Sequence, residues 1–301
     1  MVILAGGTGG AKLARGMLDV VGGEQLTVIA NTGDDIEIYG AHVSPDPDLV
    51  SFWLADRIDE RGWGLRDDTF AVMDGLRELG REVWFNLGDR DLAWCLERRR
   101  LLDAGRSATE AHQHLTAALG LSAQVLPMSD DPVRTWIRTD GRWSSFQEFM
   151  IRLGASADIE AVEFRGADEA RPTGAVLTAI AEAEAIIVGP SNPIASIGPI
   201  LALPGLREAI AAASGSVVAV SPIVGGDVLK GPTAAFMASA GLPVSVAGIA
   251  EHYAELIDGL VADERVPDMT LLDTDVEMGD APARRRVAEE TLDFALALGQ
   301  S

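Results

Sequence analysis

A single cysteine, Cys95, in 301 residues excludes an internal disulfide framework and fits a reducing compartment. Basic charge is also scarce. Against 46 Asp and Glu stand 24 Lys and Arg, leaving a net charge of −22. Neutralising a nucleic-acid backbone needs a basic surface, so nucleic acid is not an expected partner. No run of about 18 uncharged apolar residues occurs, so no membrane span is expected. The first apolar stretch, Val2 to Ala5, is too short for a secretory h-region, and a cytoplasmic location is the expectation. Covalent chemistry lacks its usual parts. The histidines (His42, His112, His114, His252) show no metal-ligand spacing, no Cys/His dyad is apparent, and no G-x-S-x-G elbow occurs.

Glycine, by contrast, is concentrated where it matters. Val2 to Ala5 reads as a strand, and it stops at Gly6-Gly7-Thr8-Gly9-Gly10 before helix formers begin at Ala11. A strand feeding a glycine turn feeding a helix presents backbone N–H groups and a helix N-terminus to an anion. Lys12 adds a positive charge in what reads as the first helical turn. The loop is neither a G-x-G-x-x-G dinucleotide fingerprint nor a G-x-x-x-x-G-K-[ST] P-loop, because Lys12 and Ala11 stand where glycines are required. The simpler alternative is a tight turn with close helix–strand packing.

Hydrophobic residues make up 48% of the chain, which marks it as globular. Strand patterns alternate with helical ones: strands at Leu26 to Asn31, Gln124 to Met128, Ala185 to Val188, Ser216 to Val220 and Pro243 to Ala247. Helices are expected near 10–21, 49–58, 173–183, 231–240 and 281–298, with Asp48 as N-cap of the second. This predicts an α/β fold with a mostly parallel, Rossmann-like sheet and helices on both faces. Residues 67–120 read as helical, with an apolar interruption at Val83 to Leu87. Thr139-Asp140-Gly141 reads as a hairpin turn. Together they suggest a smaller helical and hairpin cap, an insertion over about 67–165 in a single domain spanning 1–301. The terminal helix and the small-residue-rich second half offer a face for a homodimer.

Polar clusters follow the apolar segments: Gly6 to Gly10, Thr32 to Asp35, Gly88 to Asp91, Ser129 to Asp131, Ser191-Asn192 and Ser221. In open α/β sheets ligands bind beyond the carboxyl ends of the strands, so these clusters predict one site. Cys95 and the runs Arg98 to Arg100 and Arg284 to Arg286 read as helix positions, the arginines as solvated faces. Asp34 and Asp35 beside a glycine loop suit oxygen coordination of Mg²⁺ and a phosphate, although capping would also explain them. Phosphoryl or phosphodiester transfer needs little more than such positioning and charge neutralisation.

The segments GGTGGAKL (6–13), NTGDD (31–35), SPDPD (44–48), LGDRD (87–91), LPMSDDPV (126–133), GPSNPIASIGPI (189–200) and AVSPIVGG (219–226) resemble the 2-phospho-L-lactate transferase family of coenzyme F420 biosynthesis. That resemblance implies a Mg²⁺-dependent transfer of a phospholactyl or phosphoenolpyruvyl group from a guanosine diphosphate diester. The acceptor would be 7,8-didemethyl-8-hydroxy-5-deazariboflavin (FO), and GMP would leave. By position it implies deazaflavin contacts at Asp48 and Asn86. Donor phosphates and nucleotide would fall to Gly6, Gly7, Thr8, Gly9, Gly10, Lys12, Ser191 and Asn192. Asp48 or one of Asp34 and Asp35 would orient or deprotonate the attacking hydroxyl. The loop departs from relatives reading GGTGTPKL, with Gly10-Ala11 in place of Thr-Pro. Two other readings are a non-catalytic nucleotide-binding regulator on the same fold and an NAD-dependent oxidoreductase, the latter disfavoured by the missing third glycine.

Overall fold

The computed structural model describes residues 1–228 and 231–300. Its central sheet has seven parallel strands: β1 (Val2–Ala5), β2 (Thr27–Ala30), β3 (Gln124–Pro127), β4 (Ala185–Val188), β5 (Ser216–Val220), β6 (Gly259–Ala262) and β7 (Leu271–Asp273). Their order is β7-β6-β5-β4-β1-β2-β3. The chain starts in the middle, builds outward through β2 and β3, then crosses to β4 on the other side of β1. That reversal is a topological switch point, where such sheets open a crevice beyond the strand ends.

Alternation along β1 explains why both faces are covered. Val2 and Leu4 belong to one apolar core, Ile3 and Ala5 to the other. Side chains two apart share a face, so four apolar residues in a row need a helix layer on each side. Helix α1 (Gly7–Val21) directs Ala11, Leu13, Ala14 and Met17 onto the second core. Full burial of a Leu or Met side chain contributes roughly 1.5–3 kcal/mol, so this face anchors the helix. The terminal helix Ala281–Leu298 crosses α1 closely: a Cβ on Gly16 would meet the Arg284 carbonyl oxygen at 2.2 Å. Its Val287, Ala288 and Ala295 are thereby buried within the chain.

Helix α2 (Pro45–Leu54) begins earlier than predicted. Ser44 is its N-cap, and Pro45 and Pro47 sit in the first turn, where a missing N–H breaks no intrahelical bond. Asp48 is therefore inside the helix rather than capping it. Helix α1 likewise starts at Gly7, which puts Lys12 in the second turn. Val83 to Leu87 forms no strand; Gly88 is instead the N-cap of a helix over Asp89–Asp103. Pro243 to Ala247 is not a strand either. Ser245 caps helix Val246–Tyr253, its hydroxyl accepting from the Gly248 amide at 3.2 Å.

Beside the sheet lie α3 (Ala71–Glu78), α4 (Asp89–Asp103) and α5 (Ala108–Ala118), and a hairpin of Ile36–Ile38 with Ala41–Val43. Val43, Met73, Phe85, Leu92 and Cys95 share an apolar cluster. The turn at Asp140-Gly141 joins Arg134–Thr139 to Arg142–Ser145, and Ala161–Arg165 completes a three-stranded antiparallel sheet. Among the described residues no helix is long and apolar enough to cross a membrane.

Candidate active site

Four segments meet at the switch point beyond β1. Gly6 donates its N–H toward Ser191 Oγ at 3.5 Å, and Gly7 donates to Asp46 Oδ1 at 2.7 Å. The segments approach so closely that a Cβ on Gly9 would stand 1.9 Å from the Pro190 carbonyl oxygen. Gly7 also holds φ +63°, a left-handed conformation that glycine adopts without strain. An α-helix leaves its first N–H groups without intrahelical acceptors. Here Asp46 takes one of them, and the Thr8 and Gly9 amides share the same half-buried helix end.

Asp46 is the hub. Its Oδ2 accepts from Asn31 Nδ2 at 2.9 Å, while Asn31 Oδ1 accepts from the Gly33 amide at 2.7 Å. Burial raises the Asp46 carboxyl to about 6, partly opposed by the Gly7 and Asn31 hydrogen bonds, with Asp35 adding repulsion. Burial also pushes Asp34 well above the carboxylate range, and the neighbouring Asp46 adds to it. Among the described residues Asp34 Oδ1 has no hydrogen-bond partner, although it is buried. Two neighbouring buried carboxyls held above the usual carboxylate range, one with an orphan oxygen, are oxygen ligands of the kind that suits Mg²⁺. Asp35 is differently placed. Its Oδ2 faces His42 Nε2 at 3.1 Å and its Oδ1 accepts from Ser44 Oγ at 2.7 Å. Burial alone would lower the His42 pKa; hydrogen bonds to Asp35 and Glu37 outweigh it and lift it to about 9. The structure thus pairs Asp34 with Asp46, and Asp35 with an imidazolium.

Next to this centre opens a cavity of about 410 Å³. Phe52, Trp63, Trp84 and Phe85 line it, together with Asp46, Asp48, Asn86, Asp91 and Gln147. Apolar and aromatic walls with a few polar groups are the usual make-up of a small-molecule site. Asp48 is only 4% exposed, and Arg98, 2% exposed, grips it with both terminal nitrogens, Nη1 reaching Oδ2 at 2.9 Å. Trp94 Nε1 donates to Asp48 Oδ1 at 2.7 Å. Burial raises the Asp48 pKa and Arg98 opposes it; beside a permanently charged guanidinium the carboxylate form satisfies both partners. His112 completes the network. Burial holds it neutral, with Nδ1 3.5 Å from Arg98 Nη2 and Nε2 3.1 Å from Ser51 Oγ. The Ser51 hydroxyl donates to the Pro47 carbonyl at 2.7 Å, so the network assigns the proton of His112 to Nε2.

Gly6 to Gly10 and Ser191 therefore converge, and Asp48 and Asn86 share the adjoining cavity. Asn192 acts as a helix cap, its Oδ1 accepting from the Ile194 and Ala195 amides at 3.0 Å. Other expected site members cap as well: Asp130 accepts from the Thr109 amide at 2.7 Å, and Asp89 caps α3 through the Val72 amide at 2.9 Å. Arg98 departs from its expected solvated face and is buried. Asp91 belongs to the expected Gly88 to Asp91 cluster and reaches the cavity, whereas Asp46, Arg98 and Gln147 carried no site expectation. For Asp91, Cys95 and Arg98, a signal existed in their spacing along one helical face.

A sequence model of the family described as 2-phospho-L-lactate transferase CofD matches residues 1–293. A 2-phospho-L-lactate transferase of Methanosarcina mazei is 42% identical over 266 residues, covering 88% of this chain and 87% of that protein. A phosphoenolpyruvate transferase of Kitasatospora aureofaciens is 45% identical over 271 residues, covering 87% and 84%. Among solved structures, a UPF0052-family protein from Bacillus halodurans superposes with a TM-score of 0.65 over 97% of this chain and 99% of that one. At 17% identity it speaks for the fold alone.

Proposed function

The chain belongs to the 2-phospho-L-lactate transferase family, and on that premise we propose that it joins a three-carbon acid phosphate to FO. The donor is a guanosine diphosphate diester of lactate or enolpyruvate, and the products are the FO phosphodiester and GMP. One observation carries this reading: Asp46 belongs to both halves of the site, capping the N-terminus of α1 and lining the aromatic cavity. A group transferred between a phosphate cradle and a flat heteroaromatic acceptor must pass such a junction.

The acceptor ring lies among Trp63, Trp84, Phe85 and Phe52, with Asn86 and Asp48 as polar contacts. Its ribityl chain runs toward Asp46. The terminal hydroxyl oxygen attacks the phosphorus bearing the acid, the P–O bond to GMP breaks, and the hydroxyl proton passes to a carboxylate. Asp46 suits that role better than Asp48, whose oxygens already serve Arg98 and Trp94. Each Asp46 oxygen keeps acceptor capacity beyond its present bond, so one can face the metal and the other the hydroxyl proton. The α1 N-terminus, Lys12 and the Ser191-Asn192 turn hold the donor's phosphates. Asp34 and Asp46 would hold Mg²⁺, which when bound neutralises diphosphate charge; Asp35 stays with His42. The 2-phospho-L-lactate and phosphoenolpyruvate names among relatives make both donors the ones to assay.

Titration tests the two halves separately, with GDP and Mg²⁺ followed by calorimetry and FO by its fluorescence. Both ligands should bind together. Asp46→Ala should lose Mg²⁺-dependent GDP binding and about 10²–10⁴-fold in turnover, the usual range for a lost general base. Wild-type behaviour in that variant would contradict the assignment.

A further inference from the structure

One cavity-lining carboxyl has no part in the mechanism above. Asp91, in the first turn of α4, is 8% exposed and faces the same cavity as Asp48 and Trp63. Its backbone N–H is given to Asp68 Oδ2 at 3.0 Å. Among the described residues its Oδ1 meets only the weak donor Cys95 Sγ, at 3.9 Å. Its Oδ2 faces the Gly64 segment of the cavity wall, where a Cβ would stand 3.8 Å away. One oxygen each of Asp48 and Asp91 and the Cys95 sulfur lie within 4.8 Å of one another. Those are metal-ligand types, but the guanidinium of Arg98 already stands on Asp48 and disfavours a second cation.

The charge arrangement decides what Asp91 is. Facing it are the acidic Asp48 and Asp68, the Arg98 cation and the Cys95 thiol. Arg98 is bidentate on Asp48. Where two adjacent buried carboxyls share one cation, the one without it keeps its proton. Burial and then the Asp48 charge accordingly move Asp91 up to about 7.

Resting on the acceptor reading above, we propose that Asp91 is a specificity-determining residue for the planar acceptor: as a neutral acid it hydrogen-bonds an adjacent N–H and C=O on the heterocycle's edge. A carboxylic acid offers one donor and one acceptor side by side, the complement of a cyclic amide edge. An ionised carboxylate offers acceptors only and would face the ring carbonyl unfavourably. Asparagine carries the same donor–acceptor pair as the neutral acid, which makes the inference separable from any role for negative charge.

The test measures FO affinity by fluorescence and GDP affinity by calorimetry in the wild type, D91N and D91A, with thermal melts to verify folding. D91A should weaken FO binding about tenfold, as expected for two lost hydrogen bonds, and leave GDP binding unchanged. D91N should recover FO affinity to within about threefold, as the same donor–acceptor pair requires. Above pH 7 wild-type affinity for FO should fall relative to D91N, a comparison that removes the acceptor's own ionisation. D91N as impaired as D91A, or D91A binding FO like wild type, would overturn the inference alone. A wild-type protein that does not bind FO would overturn the functional reading and this inference with it.

Discussion

Replacing Arg98 with methionine removes the cation paired with Asp48 while preserving most of the side-chain volume. Asp48 would keep its burial and its Trp94 hydrogen bond but lose two charge-assisted bonds. Breaking a buried ion pair from one side typically costs about 3–5 kcal/mol, because the remaining charge is uncompensated. The protein can limit that loss by protonating Asp48. Burial already raises this carboxyl and Arg98 is what opposes it, so R98M raises the folded-state pKa further. The folded state then holds a proton that the unfolded chain releases above about pH 4. Destabilisation should therefore be smallest in acid and grow with pH, at up to about 1.4 kcal/mol per unit, until it levels off above the folded pKa. Urea unfolding at pH 5 and pH 8 measures this. The double variant D48L/R98M, which removes both charges, should recover most of the stability and none of the FO affinity. An R98M loss below about 1 kcal/mol at pH 8 would fall to the level of an exposed pair and refute the reasoning. So would a double variant less stable than R98M.

Two further outcomes follow from the same geometry. Gly9→Ala places a methyl 1.9 Å from the Pro190 carbonyl and should cost about 3 kcal/mol or more in thermal unfolding, with GDP binding lost. Gly7→Ala meets only an ordinary contact, Ser196 Oγ at 3.9 Å, and the strain of φ +63°, about 1–2 kcal/mol; equal losses in the two would discount the close approach. His112 is held neutral by burial beside Arg98, so below about pH 6.5 the unfolded chain takes up a proton that the folded state resists. Wild-type stability should fall faster than that of H112Q between pH 7 and pH 5.5, and parallel curves would contradict the neutral assignment.

Much of this was legible in the sequence because the central sheet is written in local signals. Val2 to Ala5, Ala185 to Val188 and Val217 to Val220 are uninterrupted apolar runs followed by glycine or serine, and each lies in a buried parallel strand. The terminal helix carries Asp280 as N-cap and Pro282 in its first turn, and its bounds came out as predicted. The site was harder, since its key residues owe their roles to partners far along the chain. Asp46 looks like a loop aspartate between two prolines; only Gly7, 39 positions away, and Asn31 make it a junction. The helix starts at Pro45 because the first turn tolerates prolines that a helix interior excludes. Arg98 was hidden in a run of three arginines whose other two are exposed, and only the register of α4 distinguishes it.

On the reading proposed above, the α1 N-terminus and the aromatic cavity form one catalytic site with Asp46 between them. Product mass after incubation with FO, Mg²⁺ and each guanylylated donor tests it most directly, with wild type and Asp46→Ala side by side. A new FO phosphodiester and stoichiometric GMP are expected with one of the two donors, and a rate lower by about 10²–10⁴-fold in the variant. No FO adduct from either donor, or an adduct formed equally fast without the Asp46 carboxylate, would contradict it.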